Sequence, residues 1–306
     1  MHVNFSLSVA GLLVGLLVGL TGMGGGALLT PLLVLLFRVQ PLAAISSDLL
    51  TSLVMKPVGA AVHLHKRTVH WRLVGWLTVG SVPSAFAGAV LIGTIGHRHG
   101  VQDNLKVIIG TALCASVALM IVRQLLDRRA RRIDARLGRQ VDPAAPLHIH
   151  PLRTLLIGAV GGFAVGMTSV GAGSVIIALL LIAYPALRPA QLVGTDIVQA
   201  IPLVGAATLG HLLFGDIQLS VTTFLLLGAL PGVYLGAKLS AQGPSALLRP
   251  VIAAVLLASA LALLQVSTAV IIAGAVAGAV AMVLLRPGPV ATEPATAAAP
   301  ELDPVH

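Results

Sequence analysis

The sequence predicts an all-α, polytopic membrane protein built from two related halves, and three observations predict it. Of 306 residues, 57% are hydrophobic and only 9% charged, against about 25% charged in globular proteins. Apolar runs of roughly 20 residues, enough to cross about 30 Å of hydrocarbon as helices, recur along the chain. Polar residues inside those runs also return at fixed spacing. Gly19-Leu20-Thr21-Gly22-Met23-Gly24-Gly25-Gly26 interrupts one run, and Gly166-Met167-Thr168-Ser169-Val170-Gly171-Ala172-Gly173 interrupts another 147 positions on. At an offset of 148, Pro41 matches Pro189, Asp48 Asp196, His63 His211, Gly80 Gly228, Pro83 Pro231 and Gly88 Gly236. The short alternating segments of a closed β-barrel are absent.

The elements follow in order. An interrupted run at 5–37 precedes continuous runs at 42–64, 72–95 and 104–123. A second interrupted run at 154–184 precedes runs at 191–214, 219–241, 247–264 and 268–286. Residues 1–126 are expected to form the first repeat and 127–153 a basic cytoplasmic linker. Residues 154–286 form the second repeat plus one extra helix, and 287–306 a disordered cytoplasmic tail, too poor in large apolar residues to pack. Met1 to Leu20 lacks a basic leader and a small-residue cleavage site, so it reads as a retained membrane segment.

The net charge of +9 does not indicate nucleic acid, because much of it lies between Arg123 and Arg153. A basic loop between membrane helices holds that loop in the cytoplasm, with anionic lipid head groups as a secondary partner. This places the N-terminus outside and the C-terminus inside. Lys66, Arg67, Arg72, Lys238, Arg249 and Arg286 then fall inside, with Arg38, Arg98 and Lys106 as exceptions. The loop at Pro41 falls outside and its twin at Pro189 inside, so the halves are expected to be inverted across the membrane. Each interrupted run must then contribute an even number of passes, as a re-entrant hairpin of half-helices or as two short spans. Glycine-interrupted segments at matched places in duplicated halves point to the binding site of a secondary transporter.

Backbone freed from a helix inside a bilayer is tolerated where it is buried in protein or lines a polar cavity. The helices restarting near Ala27 and Ser174 aim free N–H groups at the breaks, an arrangement suited to an anion. Thr21, Gly22, Gly24, Gly25 and Gly26, with Thr168, Ser169, Gly171, Gly173 and Ser174, are therefore the candidate substrate-binding residues. Tight helix crossing is the competing role for the glycines. A second stripe carries Asp48, Ser52, Lys56, Gly59 and His63, matched on the later helix by Asp196, Gln199 and His211. Ionisable groups at bilayer depth cost about 2.5–3.5 kcal/mol, so they face partners or water. These are the candidate pathway and coupling residues, with local hydrogen bonding or an interfacial position as the alternative for the Asp and His pairs.

Gly22 to Ala27 also fits a dinucleotide fingerprint, but that motif needs a soluble βαβ unit; no cofactor is expected. Cys114 stands alone, and the His-x-His pairs do not share a helix face, so no metal site is expected. No ATP-binding signature occurs. Two intramembrane aspartates raise an aspartyl-type hydrolase, although Ser46-Ser47-Asp48 and Gly194-Thr195-Asp196 lack the Gly-x-Gly-Asp pattern of known intramembrane proteases.

The first Gly-rich element, the repeated Asp, the segments Ala60-Ala61-Val62-His63 and Val69-His70-Trp71, and the Pro83/Gly88 pattern resemble the TauE/SafE sulfite exporter family. The resemblance covers about residues 5–265 and both repeats. It implies a cytoplasmic-membrane permease for small sulfur-containing or organic anions such as sulfite or sulfonates, and not an enzyme. Expected partners are the lipid bilayer, the anionic substrate and protons as coupling ions; self-association stays open. Cation or metal-ion transport is the alternative, and a membrane-embedded hydrolase a further one.

Overall fold

The computed structural model describes residues 5–21, 25–65, 68–97, 101–137, 149–170, 173, 175–185, 187, 189–240 and 248–285. Among them the regular elements are all α-helices: α1 (Phe5–Thr21), α2 (Gly26–Leu35), α3 (Pro41–His65), α4 (Trp71–Gly96), α5 (Val101–Leu137), α6 (Pro151–Thr168), α7 (Val175–Ala183), α8 (Pro189–Phe214), α9 (Leu219–Ser240), α10 (Leu248–Leu263) and α11 (Thr268–Leu284). Each continuous apolar run became one helix. Helices α4, α5, α6, α8 and α9 contain stretches long and apolar enough to cross a membrane. Helix α3 has the length, but its serines, Asp48 and Lys56 dilute its apolar character.

Burial is arranged for lipid rather than water. Leu13, Val79, Val160, Leu212, Leu227 and Ile272 face outward, while Asp48, Ser52, Asp196, Gln199 and His211 are buried. Polar groups turned inward and large apolar groups turned outward identify a chain whose solvent is the bilayer.

The basic segment differs from expectation in shape. Helix α5 runs on to Leu137, so Arg128 to Arg136 begin as helix rather than loop. Arg, Ala and Leu are strong helix formers, and the first glycine of that segment is Gly138. The Arg128 guanidinium donates to the Leu284 carbonyl at the end of α11, a favourable place for a cation. The remainder of the linker at 138–148 and the tail from 286 lie outside the described residues.

Each interrupted run is unequal. Helices α1 and α6 have 17 and 18 residues, whereas α2 and α7 have 10 and 9. At 1.5 Å per residue these are about 26 Å against about 15 Å, a nearly full crossing followed by a half-helix.

The halves exchange partners. Helix α1 packs along α9, and α4 along α6. A β-carbon on Gly11 or Gly15 would strike the backbone of Leu225 or Ala229; one on Gly158 or Gly162 would strike Leu77 or Ser81. Those contacts are the same pair under the 147/148 offset, with the halves swapped. Small residues every fourth position let the backbones approach this closely. Gly11 is thus a packing residue, not the ordinary helical glycine that its apolar surroundings suggest.

Candidate functional site

Helices α3 and α8 occupy matching places in the two halves and cross at the centre. Ser46 of α3 meets His211 of α8, Leu53 meets Gly205, and Gly59 meets Ile197. One sequence rises as the other falls, so the two helices run antiparallel. The approaches to α4 and α9 are tied to this pair by matched bonds: the His70 N–H donates to Thr195 Oγ1 of α8 at 3.0 Å, and the Gln218 N–H to Ser47 Oγ of α3 at 3.3 Å. Both donor and acceptor in one bond are the repeat counterparts of those in the other.

The two Gly-rich breaks meet in space. A β-carbon on Gly26, at the start of α2, would collide with the Ser169 carbonyl at the end of α6. Ser169 adopts left-handed backbone, φ 59°, and Gly173 follows at φ 103°, a conformation that only glycine adopts freely. The α6 helix is stopped there by Thr168, whose hydroxyl donates to the Ala164 carbonyl at 2.7 Å and accepts from the Val170 N–H at 3.2 Å. Thr168 is therefore committed to its own chain. Ser169 Oγ is buried and faces the Asp48 carboxylate.

Next to this junction lies the α3 stripe. Asp48 Oδ2 accepts from Thr30 of α2 at 2.5 Å, and Oδ1 from Ser52 at 3.2 Å. Gly25 sits against Ser52, a β-carbon there lying 3.3 Å from Ser52 Oγ. Lys56, one turn further, is 9% exposed. It lies within electrostatic reach of both Asp48 and Asp196. No salt bridge to Lys56 forms among the described residues.

The α8 stripe is less well satisfied. Asp196 is 1% exposed, and its Oδ1 accepts no hydrogen bond. Gln199 Nε2 donates to Ser81 Oγ of α4 at 2.6 Å, while its Oε1 is unpartnered. The positions matching Thr30 and Ser52 are Ile177 (or Ala178) and Ala200, so the second carboxylate lost the donors that hold the first. His211 is wholly buried rather than interfacial. Its Nδ1 pairs with Ser46 Oγ at 2.8 Å and its Nε2 with the Gly166 carbonyl at 2.9 Å, joining α3, α6 and α8.

Of the sequence-derived candidates, Gly25, Gly26, Ser169, Asp48, Ser52 and Lys56 thus gather around one junction. Gly22, Gly24, Gly171 and Ser174, and the side chains of Thr21 and His63, lie outside the described residues. Thr30, Ser46, Ser81 and Thr195 escaped the sequence reading; hydroxyls within apolar runs were the available signal. In the antiparallel pair Asp48 lies level with about residue 209 of α8, some 13 residues from Asp196, or about 20 Å. Two carboxylates sharing one proton must stand about 3 Å apart. They form no aspartyl dyad.

Comparison with known proteins agrees with this architecture. The family model described as "Sulfite exporter TauE/SafE" matches residues 7–263. The chain belongs to the TauE/SafE sulfite exporter family. It is 38% identical over 263 residues to "Probable membrane transporter protein YjnA" of Bacillus subtilis (strain 168), covering 85% of this chain and 100% of the relative. It is 25% identical over 245 residues to "Probable membrane transporter protein YdhB" of the same organism, covering 78% and 91%. A probable membrane transporter protein of Methanocaldococcus jannaschii is 26% identical over 252 residues, covering 76% and 85%. No solved structure matches. Membership, relatives and lipid-facing exterior together make the chain a multi-pass membrane transporter.

Proposed function

We propose that this transporter is a secondary permease of the bacterial inner membrane for small sulfur-containing or organic anions such as sulfite or sulfonates. The observation that carries the reading is the contact of the two Gly-rich breaks at Gly26 and Ser169. There the buried Ser169 hydroxyl, beside Asp48, stands near the start of a half-helix, whose free N–H groups favour negative charge. Lys56 supplies a buried cation close to the same junction. The family description supports a sulfur oxyanion as the substrate class.

Two halves with exchanged packing and antiparallel central helices suit an inverted repeat, in which one site faces alternate sides as the halves rock. The basic end of α5 would lie in the cytoplasm. Glycine at the breaks then serves close approach of the anion to backbone donors.

Ligand-induced stabilisation tests the substrate class. Purified protein is heated in the presence of sulfite, methanesulfonate, or matched chloride salts of sodium and zinc. A ligand at a hundredfold over its Kd stabilises the folded state by about 2.7 kcal/mol. The midpoint should rise with the sulfur anions alone. A rise with zinc or sodium and none with either anion would replace this reading by cation transport.

A further inference from the structure

The two central carboxylates are not equivalent, although the repeat makes them counterparts. Asp48 has a hydroxyl donor on each oxygen, Thr30 and Ser52. Asp196 is 1% exposed, and its Oδ1 is bare. A buried acceptor without a donor costs about 1–3 kcal/mol, more when charged, so such an atom is rarely left so without a use. One turn along the same helix, Gln199 Oε1 is also buried and bare. This pair of acceptors is what a transferable hydron would satisfy.

The surrounding charges favour coupling to an anion. Helix α3 brings Lys56 and, farther off, Asp48; α5 brings Arg123 within electrostatic range of Asp196. Helix α4 carries Arg72 and α6 Arg153, both near their first turns, and α7 carries no ionisable group. His211 lies far along α8 itself, held by Ser46 and Gly166. Lys56 sits between the carboxylates: by the contacts of Leu53 with Gly205 and Gly59 with Ile197, it lies level with about residue 201 of α8, nearer Asp196. An anion settling on the buried Lys56 would lie within electrostatic range of the buried Asp196 carboxylate. Like charges repel strongly there.

We propose that Asp196 Oδ1 is the proton-coupling site of the transporter, that Lys56 links it to the bound anion, and that Asp48 is a positioning residue only. An aqueous proton adds to the Asp196 carboxylate as the anion binds at Lys56. The resulting acid and the anion cross together, and the proton returns to water on the other side when the anion leaves. Linkage makes the effect reciprocal: the anion raises proton affinity by the factor that the proton raises anion affinity. This inference rests on the anion reading above.

The test is infrared difference spectroscopy of full-length protein in lipid, acidic against alkaline buffer, watching the protonated carboxyl band. Wild type and Asp48→Asn should show a buried-acid band; Asp196→Asn should lose it, and Asp196→Glu should restore it at a shifted position. Sulfite should strengthen the band in wild type and fail to do so in Lys56→Met. In proteoliposomes, the ratio of sulfite flux with and without a pH gradient should fall to about one in Asp196→Asn and stay above it in Asp48→Asn. A band that survives Asp196→Asn, or one that vanishes in Asp48→Asn, overturns the assignment. A band that belongs to Asp196 in a protein with no sulfite flux keeps the proton site and refutes the substrate reading.

Discussion

Gly26 and Ser169 touch backbone to backbone, although 143 residues separate them in sequence. One ends the first Gly-rich break and the other opens the second. Two interruptions that look independent along the chain are therefore one place in the molecule.

Substitution beside this contact separates a site from a packing joint, whereas Gly26→Ala would drive its β-carbon into the Ser169 carbonyl and should not fold. Gly25→Ala, whose β-carbon meets first the side chains of Leu29, Ser52 and Met55, should lower anion flux by at least about tenfold, the factor that 1.4 kcal/mol represents. The control is Gly75→Leu, because a β-carbon at Gly75 meets nothing within 4 Å. Gly11→Leu is no control: it should fail to accumulate as folded protein, since its β-carbon would enter the Leu225 carbonyl. Flux per folded molecule, with size-exclusion profiles, reads them all. Normal flux in Gly25→Ala would return the glycine to packing.

Ser169→Gly isolates the hydroxyl from the backbone. Glycine accepts φ 59° without strain. The variant should be as stable as wild type or gain about 1 kcal/mol. It should nevertheless bind sulfite more weakly, as a right-shifted concentration curve for flux. Unchanged apparent affinity would remove Ser169 Oγ from the site.

His211 tests the packing of the centre. Truncation to Ala leaves the Gly166 carbonyl without its ring partner and removes Ser46 from its imidazole. The expected loss is about 1–3 kcal/mol, seen as a lower unfolding midpoint in detergent. No loss would show that the ring is dispensable to the α3–α6–α8 junction.

Orientation is checked by a single cysteine at Ala135 in a variant with Cys114 replaced. An impermeant thiol reagent should not label it in intact cells and should label it in inverted vesicles. Labelling from outside would reverse every loop assignment.

Much of the fold was legible because a bilayer leaves few options for apolar runs. Pro41, Trp71, Pro189 and Leu219 begin helices within a few residues of where those runs begin. Asp48 and Asp196 were legible as buried because charge in an apolar run must be sheltered. Their difference was not. It depends on Thr30, which reaches Asp48 only once α2 folds back on α3, and the local sequence carries no sign of that pairing. The partner exchange of α1 with α9 was also hidden. Gly11, in its apolar surroundings, read as an ordinary helical glycine, and only the folded chain brings it against Leu225. His211 misled for a related reason: its closeness to a helix end suggested an interface, whereas α3 and α6 close over it.

The central claim is that small anions pass at the junction of the two breaks. Counterflow of radiolabelled sulfite into proteoliposomes preloaded with unlabelled sulfite measures it most directly, comparing wild type with Gly25→Ala and Gly75→Leu. The account predicts saturable counterflow in wild type and Gly75→Leu, competed by methanesulfonate and not by sodium or zinc, and its collapse in folded Gly25→Ala. Sulfite counterflow of equal size in folded Gly25→Ala, or cation flux without anion flux in wild type, would contradict it.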